Sequence, residues 1–80
     1  MSSDVEQRVK NMMAALFKMP VADINLDTSV DIVEGWDSLN HMKLVMALEE
    51  SFAIEFSEQE VTELLSLELV MLTLRSKGFN

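Results

Sequence analysis

Eighty residues, 49% of them hydrophobic and 25% charged, can bury one small core, a balance that excludes a disordered chain. The absence of cysteine excludes a disulfide framework, a thiolate metal site and a thiol nucleophile. Fourteen acidic against six basic residues give a formal charge of −8, a surface that repels nucleic acid and anionic membrane and favours partners with basic patches, besides keeping a small protein soluble.

Ser3-Asp4-Val5-Glu6 has the spacing of a capping box, a hydroxyl followed three positions later by Glu. Val5, Val9, Met12, Met13, Leu16 and Phe17 then recur at helical spacing and predict an amphipathic first helix to about Lys18. Pro20 opposes its continuation. From Met19 to Asp37 no helical period is sustained, and Asp23, Asn25, Asp27, Thr28, Ser29 and Asp31 favour turns. Unsupported loops of that length are uncommon, so Ile24, Leu26, Val30 and Val33 are expected to pin this one onto the core.

The loop delivers the chain to Gly35-Trp36-Asp37-Ser38-Leu39. Gly35 can take backbone angles that other residues avoid, and Asp37 or Ser38 can cap a helix by accepting from one of its first N–H groups. Asn40 to Phe52 follows with neither Pro nor Gly, so Ser38 stands at a helix N-terminus, where backbone N–H groups and the dipole suit a phosphate. At about 100 degrees per residue, with Leu39 at zero, Leu44, Val45, Leu48 and Phe52 fall between about 140 and 240 degrees, a core stripe. Leu39, Met42 and Met46 fall within about 60 degrees of zero, flanked by Lys43 and Glu50. This second apolar stripe needs a cover, either from the chain itself or from a partner. His41 points toward the core stripe. With no cysteine and no second histidine it makes no typical zinc site, and it reads as a packing residue at the core margin.

Ser57-Glu58-Gln59-Glu60 is a further capping box, opening a third helical segment with Val61, Leu64 and Leu65. Ser66 is read as the cap of a fourth helix carrying Leu67, Val70, Met71 and Leu74, with one unbroken helix through Ser66 as the alternative. Arg75 and Lys77 complement its C-terminal dipole end, and Gly78 is a natural stop. Of the seven methionines, Met12, Met13 and Met71 have core spacing, where a flexible thioether fills irregular space or could admit an apolar guest.

Asp37-Ser38-Leu39, followed by Leu44-Val45-Met46-Ala47-Leu48-Glu49-Glu50-Ser51-Phe52, resembles an acyl carrier protein. The tripeptide alone is weak; its place at a helix start, after a long loop, in an acidic chain of four helical segments, is specific. The resemblance runs from the first helix to Leu74. It implies an all-α fold, an antiparallel helical bundle with three main helices and one short helix and a long first loop, forming a single carrier domain over residues 1–80. It also implies that Ser38 bears a covalent 4′-phosphopantetheine drawn from coenzyme A, whose terminal thiol holds acyl groups as thioesters. Ser38 is then a hydroxyl modified by another enzyme, and the protein itself catalyses nothing. Implied partners are a phosphopantetheinyl transferase, an acyl- or aminoacyl-loading ligase or transferase, and a downstream synthase or transferase with basic docking patches. These would dock on Asp37, Leu39, Met42, Lys43, Met46, Glu49 and Glu50.

Trp36, Asn40-His41 and Lys43 depart from fatty-acid-synthesis carriers, and Gly-Trp-Asp-Ser-Leu is closer to carriers of specialised polyketide, lipid, modified-sugar or aminoacyl-transfer pathways. Three alternatives stand beside an acyl carrier: an aminoacyl or peptidyl carrier, an acidic module binding a partner helix on the Leu39-Met42-Met46 stripe, and a small hydrolase using Ser38 and His41. No apolar run reaches the length of a membrane span and the N-terminus lacks a signal pattern, so a monomeric cytoplasmic protein with no membrane and no metal partner is expected.

Overall fold

The computed structural model describes residues 4–79. Four α-helices form: α1 Asp4–Phe17, α2 Ser38–Phe52, α3 Glu58–Glu63 and α4 Leu67–Ser76, with one 3₁₀ turn, Val21–Asp23, in the long first loop. No strand occurs among the described residues, and none of their helices is long and apolar enough to cross a membrane. The first expected capping box lies partly outside the described residues, since it needs Ser3. Helix α1 stops at Phe17 because Lys18 turns into the left-handed region at φ 54°, where the Met19 N–H closes on the Ala14 carbonyl at 3.2 Å.

The core is built from the stripes that the helical spacing marks. Val9, Met13 and Phe17 of α1, Leu44, Val45, Leu48 and Phe52 of α2, and Leu67, Val70, Met71 and Leu74 of α4 are buried, joined by Leu64 at the end of α3. Met13 and Met71 are core residues, and Met12 packs half-buried beside them. Helix α1 packs on both α2 and α4. Its Arg8 guanidinium lies 4.2 Å over the Phe52 ring and donates to the Ser51 carbonyl at 2.8 Å, tying the middle of α1 to the end of α2.

The chain breaks between α3 and α4, as the Ser66 reading expects. The reason is nonlocal. The first N–H groups of a helix lack partners within it. In α4, Leu67 N–H donates to the Thr28 carbonyl at 3.0 Å and Glu68 N–H to the Leu26 carbonyl at 3.3 Å. Leu69 N–H is accepted by the Ser66 hydroxyl at 3.2 Å. The long loop thus caps α4 and is held there itself: an isolated antiparallel bridge joins Ser29 to Ser66, and Val30 N–H donates to the Leu65 carbonyl at 3.0 Å. Of the four expected pins, Ile24 is buried and Val30 and Val33 pack half-buried on the core, but Leu26 is exposed and contributes through its backbone. Leu65 lies outside α3 and is also exposed, so the third segment is shorter than its apolar residues suggest. At the far end Gly78, at φ 102°, ends α4, and Lys77 pairs with Glu60 at 3.1 Å across to α3.

Candidate functional site

The loop approaches α2 through a series of turns, with Val33 N–H on the Ser29 carbonyl and Trp36 N–H on the Val33 carbonyl, each at 3.0 Å. Gly35 serves a purpose other than the expected one. Its backbone angles are open to any residue, but a Cβ there would stand 3.2 Å from the Phe17 carbonyl oxygen. The glycine lets the turn lie against the end of α1. Its carbonyl accepts from the Asn40 side-chain amide at 2.7 Å, fastening the turn to the first turn of α2.

Asp37, and not Ser38, caps α2: its Oδ1 accepts from Asn40 N–H at 2.9 Å and its carbonyl from His41 N–H at 2.8 Å. Ser38 becomes the first helical residue and is exposed. Among the described residues its hydroxyl has no hydrogen-bond partner, nor do the N–H groups of Ser38 and Leu39. An accessible hydroxyl therefore stands beside two open amides at a helix N-terminus, where a phosphate is stabilised.

Beneath Ser38 lies a linked set of rings. Trp36 is buried, stacks on Phe17 with ring centroids 4.9 Å apart, and donates its indole N–H to His41 Nδ1 at 3.0 Å. His41 Nε2 meets the Val61 carbonyl, in the last turn of α3, at 2.8 Å. An indole only donates and a carbonyl only accepts, so the pair of bonds fixes the tautomer with Nδ1 bare and Nε2 protonated. Both ring nitrogens are spent, which leaves none to accept a proton from Ser38 and removes the geometry a hydrolase needs. A groove of about 530 Å³ opens beside Ser38, lined by Val30, Trp36, Asp37, His41, Met42 and Leu65. Its lining is apolar at Val30, Trp36, Met42 and Leu65 and polar at Asp37 and His41. No group of side chains that could hold a metal ion occurs among the described residues.

The second stripe of α2 is left open. Leu39, Met42 and Met46 are 66%, 48% and 63% exposed, and neither the loop nor another helix covers them. Lys43 is exposed among them with no ion pair to a described residue, and Asp37, Glu34 and Glu50 are exposed nearby in sequence. Glu49 is placed otherwise: it is half-buried, and its carboxylate accepts from Phe56 N–H at 2.9 Å. The groove residues Trp36, Val30 and Leu65 were not among the site candidates. Trp36 carried a signal, being a large aromatic at a helix entrance, whereas Val30 and Leu65 meet only because Ser29 bridges to Ser66.

A sequence profile for the family described as "Phosphopantetheine attachment site" matches residues 7–71, most of the chain. Among solved structures the fold is similar to that of Rv0033 from Mycobacterium tuberculosis, a provisionally assigned acyl carrier protein. That likeness has a TM-score of 0.80 at 18% sequence identity and covers 90% of this chain and 96% of the other. The structural match supports the fold, and the profile match, spanning α2 and the site, supports the family. Such domains are carriers and not catalysts, bearing a covalent 4′-phosphopantetheine and serving phosphopantetheinyl transferases and acyl-handling enzymes. With the fold of an acyl carrier protein and the profile running from α1 into α4, the chain belongs to the phosphopantetheine attachment family.

Proposed function

We propose that Ser38 is the attachment residue and that the protein holds acyl groups as thioesters on the arm, within a specialised polyketide, lipid or modified-sugar pathway. The observation that carries the attachment is the division of labour at the start of α2. Asp37 does the capping, so the Ser38 hydroxyl is exposed and uncommitted at the mouth of the groove. In the attachment the Ser38 oxygen bonds to the phosphorus of coenzyme A that bears the pantetheine, and the nucleotide part leaves. The transferase supplies the base, consistent with His41 being fully engaged.

The open Leu39-Met42-Met46 stripe is the docking face, and the acidic side chains around it favour basic patches on the loading enzyme and the downstream synthase or transferase. Lys43 within that face supports a dedicated partner, since a patch selected for a wholly acidic helix would meet a like charge there. The experiment is intact mass after co-expression with a phosphopantetheinyl transferase. Wild type should gain the arm's mass and Ser38→Ala should gain none; modification of the Ala variant would place the arm elsewhere.

A further inference from the structure

We propose that His41 is a latch across the α2–α3 seam, one that keeps a carried group in the surface groove and out of the helical core, so that this carrier is fitted to short acyl cargo. The inference rests on the carrier reading of Ser38. Residues three apart on a helix are neighbours on its surface, so His41 lies beside the attachment point. Leu44 and Leu48 of α2 and Leu64 at the end of α3 are fully buried, so a carried chain would reach them from Ser38 only by passing between α2 and α3. The bond from His41 to the Val61 carbonyl at 2.8 Å spans that route. The bond from Trp36 to His41 at 3.0 Å holds the imidazole in place, and the stack of Trp36 on Phe17 holds the indole.

Magnitudes set the cargo. A chain entering the core must displace the imidazole from between α2 and α3, which leaves the indole N–H and both ring nitrogens of His41 without their partners. Each lost hydrogen bond disfavours the open state by about tenfold, so the two together act by about a hundredfold. Each methylene buried favours entry by about fourfold. Three to four methylenes, roughly, are therefore needed to offset the latch, and an acetyl or butyryl group falls short.

The test is to load the holo protein with acetyl, butyryl and hexanoyl groups and to follow the rate at which hydroxylamine cleaves the thioester, together with the methyl resonances of Leu44, Leu48 and Leu64. In wild type the cleavage rate should change by no more than about twofold from acetyl to butyryl with the core methyl resonances in place, and hexanoyl, whose four methylenes offset the latch, should be the first to show protection. His41→Ala should show protection that rises by about fourfold per methylene from butyryl onward, with the core resonances shifting. His41→Gln, which keeps one donor and one acceptor, should restore the wild-type profile. If His41→Ala does not fold, Trp36→Phe, which keeps a ring against Phe17 and removes the indole N–H, should give an intermediate slope. Wild type that already protects butyryl and displaces the core methyl groups would overturn the latch, as would equal profiles for wild type and the folded variants. A wild-type protein that gains no arm would overturn the carrier reading and the latch with it, and the intact mass distinguishes that failure from the others.

Discussion

Gly35 lies against the backbone of Phe17: a Cβ at Gly35 would be 3.2 Å from the Phe17 carbonyl oxygen and 3.5 Å from its Cα. The end of α1 and the turn that precedes α2 are thus in direct contact, and the residue that permits this is the one without a side chain. Because the neighbour is backbone at a helix end, it can give only by moving α1 or the turn. Gly35→Ala should lower stability by about 1–3 kcal/mol, in the range of an overpacked core. Denaturant unfolding checks this, and an unchanged midpoint would mean that the contact relaxes freely.

Asp37 and Ser38 should separate cleanly by mutation. Asp37→Ala removes the cap on Asn40 N–H and should lower stability by about 1 kcal/mol. Ser38→Ala removes an exposed hydroxyl without a partner among the described residues and should stay within about 0.5 kcal/mol of wild type. Thermal unfolding of the two variants decides between the roles. A larger loss for Ser38→Ala than for Asp37→Ala would reverse them.

Partner recognition should depend on the open face of α2. Met46 is 63% exposed, so Met46→Glu should reduce loading by the partner enzyme far more than it reduces stability. Added salt should weaken the same reaction by screening the acidic side chains around the face. Lys43→Glu should improve service by a housekeeping malonyl transferase and weaken recognition by the dedicated partner. Comparing holo wild type and the two variants as substrates tests the face and the specificity together. Equal and efficient turnover of all three would place docking elsewhere.

Glu60 links stability to pH. The Ser57 N–H hydrogen bond, above all, and then Lys77 hold its carboxyl below the usual value of 4.5. Because the folded value is the lower one, the unfolded chain binds more protons as the medium is acidified. The contribution is present above pH 4.5 and is lost as pH falls through the folded value. Glu60→Gln keeps a carbonyl for Ser57 N–H and removes the charge, so the difference in melting temperature between wild type and variant should shrink below pH 4.5. A difference that does not vary with pH would assign the effect to packing.

The sequence by itself determined the helices, their caps and the buried stripes, because these depend on residues within about one turn of each other. Ser57 with Glu60 and Ser66 before Leu67 mark helix starts through bonds three residues long, and the spacing of Leu44, Val45, Leu48 and Phe52 sets which side of α2 is buried. The resemblance at Asp37-Ser38-Leu39 was likewise local, and the family match bears out the family it implied. What only the tertiary structure decided was each pairing made across a long separation. The loop carbonyls of Leu26 and Thr28 complete the N-terminus of α4, which fixes the break before Leu67. Trp36 became the buried ring beneath the groove, and His41 became its link to α3, because α1 and α3 stand where they can receive them. Glu49 was drawn to Phe56 N–H because α2 ends there and the chain folds back past its carboxylate. A donor or acceptor near in sequence can be paired by counting residues. One brought close by folding has no partner until the helices have packed.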